Sequence, residues 1–398
     1  MDFFSSKNIA ILTTSYLPVQ GGVQYLLYWL LKEIDKNYQS YRKQFNINQI
    51  YFIVPKYKNS NFDHFKNIKV IYINAVNNKL YFLKNIVYLQ RVFRKNNISL
   101  IHTHNALMDG VLCLLSTLFS KRKYIITSHG VDFSYKKEFK FGARLSWKNN
   151  QIIKLVSNRA SKITTVSKDM CEFVYELVPK KKVYKIENCY DNNVKHFEKN
   201  VIKRNIKKIK SKHNIRNGDV VFLTLSGARK IKGHVNMILA FSKAIRKTPN
   251  LKLFIAAHGE ETDKLKKMAS DLGLSNNIFF IGFITGVTKL SFFTIADAYV
   301  NTAFFEPFGL VYLEAIQNNM AVLGSIYGGG KDIFKHLHNA YLSDPYKVST
   351  IEDGFVYLSK KENKEKLLKN SQSTLGKYSV DNILNKYFTL YKKIMDEM

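Results

Sequence analysis

Two glutamates that stand eight residues apart, Glu306 and Glu314, flank the segment whose residue types most clearly suit chemistry. A Pro-Phe-Gly sequence between them indicates a turn, and the apolar spacing after it predicts a helix. The first N–H groups of that helix, at Phe308, Gly309 and Leu310, would bind an anion. Ionised carboxylates accept hydrogen bonds from hydroxyl groups and therefore suit a ribose or another sugar. A helix-capping glutamate and a solvent-facing one fit the same spacing, so both interpretations stand.

A pair of cations forms the second candidate group. Arg229 and Lys232 follow a strand-like run and lie between Gly227 and Gly233. A guanidinium makes a forked contact with a diphosphate, and an ammonium acts on it as a point charge. Two loop cations are also an ordinary surface feature in a chain as basic as this one.

Histidines form the third group. His129 precedes Gly130 at the end of a predicted strand, where it would either bond a backbone carbonyl or face a ligand. His102 and His104 would share one strand face, but no carboxylate or cysteine cluster completes a metal shell, so no metal site is predicted. The sequence also has no DxD pair to hold Mg²⁺ or Mn²⁺ against a diphosphate, and neither GxGxxG nor GxxxxGK[ST].

Composition limits the classes of protein that remain. A chain of 398 residues with 46% hydrophobic and 23% charged residues fits two globular domains and excludes disordered and fibrous classes. An AT-rich coding sequence explains only part of the net charge of +32, so a partner such as nucleic acid, an anionic membrane or a phosphorylated substrate stays open. Three scattered cysteines and the lack of a long apolar run predict a cytoplasmic protein that does not cross a membrane.

Short apolar runs alternate with helix-patterned segments along the chain, which predicts two α/β domains with doubly wound parallel sheets. We expect an N-terminal domain over 1–195, a basic linker over 196–217 and a second domain over 218–378. A C-terminal helix over 379–398 is expected to pack back on the first domain. Ligands bind at the carboxyl ends of parallel strands, so the candidate residues should line two rims that face each other across a cleft.

The motifs occur in the order PxxGG, HTHN, SHG, TTVS, a loop ending in KGH, and EPFGLVxLEA. This order resembles the retaining glycosyltransferases of family 4, which have the GT-B fold of two Rossmann-like domains. The resemblance covers residues 9–345 and is strongest over 278–332. It implies transfer of a sugar from a nucleotide diphosphate sugar to a glycan or lipid-linked acceptor, with retention, in surface polysaccharide or glycoconjugate synthesis. It also implies that no metal or other cofactor takes part.

The resemblance implies that the first domain binds the acceptor and that the second domain binds the nucleotide sugar. It also assigns roles to the candidate residues of the second domain. Glu306 would contact hydroxyl groups of the donor sugar as a catalytic residue, and Glu314 would contact the ribose. The backbone amides of Phe308, Gly309 and Leu310 would hold the diphosphate.

Further roles fall on the loops. Arg229 and Lys232 would neutralise the diphosphate as it leaves, although the loop that opens at Gly227 is shorter than in the family. Either Arg229 or Lys230 would therefore reach the phosphate. His129 would lie beside the donor sugar as a second catalytic residue, and Gly22 would let the first loop approach the substrates.

Two other functions remain open on the sequence. A GT-B relative such as a sugar-nucleotide epimerase would share the fold and use no glycan acceptor. A non-enzymatic protein that binds an anionic surface would explain the charge. A nucleic-acid partner is not expected, because no module with interleaved basic and aromatic residues of the RNA-binding type appears. Basic and aromatic clusters at 38–43, 121–123 and 135–137 predict peripheral association with the inner face of an anionic membrane.

Overall fold

The computed structural model describes residues 7–19, 21–57, 65–76, 78–191 and 197–398. The chain forms two units, one made of Met1–Asp191 with Tyr378–Met398 and the other of Asn192–Lys377. Each unit is built on a parallel sheet, which confirms the predicted fold class at the level of the single domain. Within these ranges, no helix combines the length and the apolar character that crossing a membrane requires.

The first unit contains seven parallel strands in the order β3-β2-β1-β4-β5-β6-β7. The strands are β1 (Lys7–Leu12), β2 (Ile47–Pro55), β3 (Lys69–Ile73), β4 (Ile98–Thr103), β5 (Lys123–Ser128), β6 (Lys162–Thr165) and β7 (Val183–Lys185). The central residues of β1, β2, β4 and β5 are short apolar runs that are buried on both sides, as expected for strands covered by helices. The edge strands β3 and β7 are mostly half-buried. The chain reverses direction across the sheet between β1 and β4, which makes that pair the topological switch point.

Helices cover both faces of this sheet. They are α1 (Gly22–Lys36), α2 (Tyr38–Phe45), α3 (Lys79–Lys95), α4 (Met108–Thr117), α5 (Trp147–Arg159) and α6 (Lys168–Tyr175). The crossovers from β3 through β6 proceed in one direction, and right-handed connections therefore place α3, α4 and α5 in one layer. The crossover from β1 to β2 runs the other way, so α1 and α2 lie on the opposite face.

The second unit contains six parallel strands in the order β10-β9-β8-β11-β12-β13. They are β8 (Val220–Gly227), β9 (Leu251–His258), β10 (Ile278–Phe280), β11 (Ala298–Val300), β12 (Ala321–Ser325) and β13 (Tyr341–Ser343). The switch point lies between β8 and β11. Residues of the predicted donor site follow both of these strands in the sequence.

Helices complete the second unit and correct one prediction. They are α7 (Lys199–Lys212), α8 (His234–Lys247), α9 (Thr262–Asp271), α10 (Gly286–Ile295), α11 (Leu310–Gln317), α12 (Gly330–Ile333), α13 (Val348–Ser359) and α14 (Lys361–Gln372). Most of the segment interpreted as a linker, 196–217, is α7, which packs on α10 through an Asn205 to Ser291 hydrogen bond of 3.1 Å. It therefore belongs to the second unit, whereas the predicted boundary at 195 lies outside the described residues.

The C-terminal helix α15 (Val380–Asp396) lies in the core of the first unit. Its Phe388 ring stacks on Tyr41 of α2 at 4.8 Å, and a backbone hydrogen bond of 3.2 Å joins Tyr190 N to Tyr378 O just before the helix. Tyr38 and Tyr41 are buried. The prediction that the aromatic rings of 38–43 face a membrane is therefore wrong, because α15 covers α2.

Candidate functional site

Two loops of the second unit meet at its switch point. The loop after β8 ends at Gly233, whose backbone is left-handed at φ 69° and whose added Cβ would lie 2.0 Å from Thr302 O. The Thr302 hydroxyl donates to the Gly233 carbonyl at 3.1 Å, and Phe304 N donates to Ile231 O at 2.9 Å. Only glycine fits this crossing, so the KGH sequence fixes the β8 loop against the loop that follows β11.

Glu306 and Lys232 come together from these two loops. Lys232 Nζ lies 2.8 Å from Glu306 Oε2, and Asn301 Nδ2 donates to the same oxygen at 3.2 Å. The two side chains keep only 20% and 15% of their surface exposed, respectively. The carboxylate is thus held in one orientation by a cation and an amide, and its other oxygen atom has no part in these two contacts.

The turn between Glu306 and α11 is built around Gly309, as the sequence predicts. Gly309 is left-handed at φ 88°, and an added Cβ would lie 2.4 Å from the Tyr312 ring. Gly329 N donates to Glu306 O at 2.8 Å, which anchors the Glu306 backbone from the next loop. The first N–H groups of a helix have no partner within that helix, so the α11 start offers dipole charge beside the Lys232–Glu306 pair.

Glu314 lies in the second turn of α11 and also has a lysine partner. Lys289 Nζ of α10 is 2.7 Å from Glu314 Oε1 and 5.4 Å from the Phe293 ring centroid. No sequence motif marks Lys289 as a site residue, because its contact with Glu314 depends on how α10 packs beside α11. Each predicted glutamate is therefore paired with a lysine before any substrate binds.

The remaining donor-site candidates of the second unit lie around the same loops. Gly227 and Arg229 are exposed at the end of β8, and Arg229 begins the short turn that carries Lys232. Phe308 is buried, whereas Leu310 is half-buried at the first position of α11. The structure brings these residues together with Glu306 and Lys232 at one edge of one sheet.

Three histidines form a chain in the first unit: His102 lies in β4, and His104 and His129 follow β4 and β5, respectively. His129 Nε2 lies 3.1 Å from His104 Nδ1, and the His102 and His104 rings are 4.2 Å apart. His102 Nδ1 is 2.5 Å from the Tyr391 hydroxyl and its Nε2 is 2.7 Å from Thr127 Oγ1. In the part of the chain that the structure describes, no group of three or more His, Cys, Asp or Glu could hold a metal ion.

Burial makes these histidines weak bases. It lowers the pKa of His102 to about 3 and that of His129 to about 4, and it lowers the pKa of His104 well below the ordinary value. His129 Nδ1 is enclosed and has no hydrogen-bond partner among the described residues. A neutral His129 therefore presents a polar atom rather than a positive charge.

Asp109 fixes the loop that contains the PxxGG motif. Its Oδ1 accepts from Thr14 N at 2.8 Å and from the Thr14 hydroxyl at 2.5 Å, immediately after β1. Burial raises the pKa of Asp109 to about 6, against the opposing effect of these hydrogen bonds. Gly22, the predicted substrate-loop residue, is the first residue of α1 and lies in this first unit with His129, not in the unit that contains Glu306.

Most of each unit matches a family of known proteins. Residues 205–374 match the family model described as Glycosyl transferases group 1, and residues 47–194 match that of Glycosyltransferase Family 4. N-acetyl-alpha-D-glucosaminyl L-malate synthase of Bacillus anthracis is 22% identical over 312 residues, which cover 77% of this chain and 78% of that protein. Alpha-monoglucosyldiacylglycerol synthase of Streptococcus pneumoniae is 25% identical over 166 residues, which cover 37% of this chain and 38% of that protein.

Solved structures show the same fold. Two crystal structures of Anabaena HepE, one with UDP and glucose and one with UDP-glucose, match with TM-scores of 0.72 and 0.71. Each is 18% identical and covers 98% of this chain and 100% of its own chain. At this identity the likeness concerns the arrangement of strands and helices.

Proposed function

This chain belongs to the family 4 glycosyltransferases and has the GT-B fold, and on that premise we propose that it transfers a hexose from a UDP-sugar to a glycan or lipid-linked acceptor. The transfer would serve the synthesis of a surface polysaccharide or glycoconjugate. The name of the Streptococcus relative, a diacylglycerol-modifying synthase, supports a lipid-linked acceptor and a peripheral position on a membrane. The HepE structures, which contain UDP and UDP-glucose, support the uridine nucleotide.

The observation that carries this proposal is the pairing of Glu306 with Lys232 beside the α11 start. A donor has hydroxyl groups that need acceptors and a diphosphate that needs donors and positive charge. Glu306 supplies an acceptor for the hydroxyl groups. Lys232 and the N–H groups at Gly309 and Leu310 supply the positive charge and the donors for the diphosphate. Charge that develops on the diphosphate would meet groups that are already in place, which is the usual source of electrostatic catalysis.

The reaction would proceed with retention and without a metal ion. The bond between the anomeric carbon and the diphosphate oxygen breaks, and a bond to the acceptor oxygen forms on the same face. The acceptor proton goes to the leaving phosphate oxygen, whose charge Lys232 and Arg229 neutralise. His129, neutral because burial lowers its pKa to about 4, would act beside the donor sugar by hydrogen bonding.

Nucleotide release from a panel of UDP, GDP and ADP sugars tests the proposal directly. We expect release from one UDP-sugar, undiminished by EDTA, and a loss of about 100-fold in rate for Glu306→Gln because the carboxylate acceptor is removed. Glu365→Gln, which disrupts the exposed Lys361–Glu365 pair of α14, is the matched control and should keep the native rate. Full activity of Glu306→Gln would contradict the role of this residue, and loss of activity in EDTA would contradict metal independence.

A further inference from the structure

Helix α3 has two apolar sides. Its inner side packs into the first unit through Leu89, Val92 and Phe93, which are buried. Leu80, Leu83, Val87 and Tyr88 are spaced at i, i+3, i+7 and i+8 and leave 58%, 59%, 50% and 43% of their surface exposed, respectively. A surface helix ordinarily places polar residues on its outer side, so this second stripe calls for a partner.

The charges around this stripe are all of one sign. Lys84 and Arg91 are exposed within it, and α3 contains no acidic residue. Over residues 64–131 the sequence has a single acidic residue, Asp109, which is buried. The outer surface of this part of the chain is therefore apolar and cationic, and its ideal partner is apolar and anionic.

The neighbouring helices extend the same surface at one edge. In a crossover connection the helix runs back against its strands, so the first turns of α3, α4 and α5 lie at the carboxyl edge of the sheet. Met108 begins α4 and is 44% exposed, and Trp147 begins α5 and is 73% exposed. Aromatic rings with a polar atom favour the boundary between lipid and water.

We propose that the α3 face, defined as Leu80, Leu83, Lys84, Val87, Tyr88 and Arg91, docks the protein on an anionic lipid bilayer. The apolar side chains enter the acyl boundary, and the two cations contact lipid phosphates while their stems lie along the apolar surface. The inference rests on the proposed function in one respect: it supplies the membrane at which a lipid-linked acceptor would be met. A second copy of the chain fits the face poorly, because two-fold pairing would bring like charges together.

Vesicle co-sedimentation of the full chain tests this surface. The probes are vesicles of equimolar phosphatidylglycerol and phosphatidylcholine and vesicles of phosphatidylcholine alone, at low and at high salt. We expect the native protein to bind the anionic vesicles at low salt, where screening is weakest. The double variant Leu83→Glu/Val87→Glu should bind them at least about tenfold more weakly, because it places two carboxylates in the apolar stripe.

Leu272→Glu provides the matched control, since Leu272 is an exposed leucine of the second unit. It should bind vesicles like the native protein. Equal binding by the double variant, or no binding by the native protein, would overturn the proposal, as would a native dimer in size-exclusion chromatography that the double variant abolishes. Nucleotide release by the double variant should stay native, so failure of the membrane inference and failure of the proposed transferase activity are read from separate assays.

Discussion

Glu314 and Lys289 offer the clearest distinction between a substrate contact and a structural ion pair. If Glu314 binds the ribose, as the family resemblance implies, Glu314→Gln should raise the KM for the donor about tenfold or more, because a charge-assisted hydrogen bond is lost. It should leave kcat nearly unchanged. The matched variant is Lys289→Met, which removes the partner of Glu314 at 2.7 Å but keeps the carboxylate. Steady-state kinetics of both variants tests whether Glu314 contacts the donor. An equal rise in KM for both variants would mean that Glu314 only holds Lys289.

His129 should make the protein less stable as the pH falls. Its pKa is about 4 in the folded chain and near 6.5 when unfolded, so between those values the unfolded chain binds one more proton. Between these two pKa values, His129 alone therefore lowers the free energy of unfolding by about 1.4 kcal/mol for each unit by which the pH falls. His129→Asn should therefore show a weaker pH dependence of the free energy of unfolding, measured by denaturant unfolding between pH 6.5 and pH 4.5.

The comparison is made against His338→Asn, which replaces an exposed histidine. Asp109 and Asp132 oppose the histidine effect, because burial raises their pKa, but they are present in all three proteins and cancel in the difference. Identical pH profiles for native and His129→Asn protein would contradict the prediction.

At the scale of the element, the start of α11 should depend on one backbone conformation. Gly309→Ala places a Cβ 2.4 Å from the Tyr312 ring at a positive φ, and should cost about 2 kcal/mol or more while weakening UDP binding. Gly273→Ala is the matched control, because φ is 71° there and no atom lies within 4 Å of the added Cβ. Calorimetry of UDP binding and thermal unfolding separate the two effects. Native UDP affinity in Gly309→Ala would show that the turn does not hold the nucleotide.

Sequence patterns predicted what depends on neighbouring residues and missed what depends on distant ones. Apolar runs and helical spacing were enough for both sheets except their last strands, β7 and β13, which are only three residues long. The carboxyl-edge rule was enough to place Glu306 near Lys232. The lysines that crowd α7 hid the spacing of Ile202, Ile206 and Ile209, so its contact side was missed. Tyr41 was misplaced because the helix that covers it follows more than 300 residues later, and no local pattern reports such a contact.

At the scale of the whole molecule, the first unit should need both of its chain segments to fold. Residues 1–191 alone lack α15, whose buried residues form part of the core around β1 and α1. A short Gly-Ser linker that joins 1–191 directly to 378–398 should restore cooperative thermal unfolding, because Tyr190 and Tyr378 are already hydrogen-bonded. Circular dichroism of the two fragments checks this, and cooperative unfolding of 1–191 alone would contradict it.

The hydrogen bond between Tyr190 and Tyr378 suggests how this protein could acquire a new second unit. The chain leaves the first unit and re-enters it at two adjacent points. The gene segment for the second unit is therefore an insertion that could be exchanged as one piece. Recombination at codons 191 and 378 would exchange the proposed donor-binding half and leave the core of the other half intact. If the first unit selects the acceptor, as the family resemblance implies, a chimera made in this way should take a new donor sugar and keep its old acceptor.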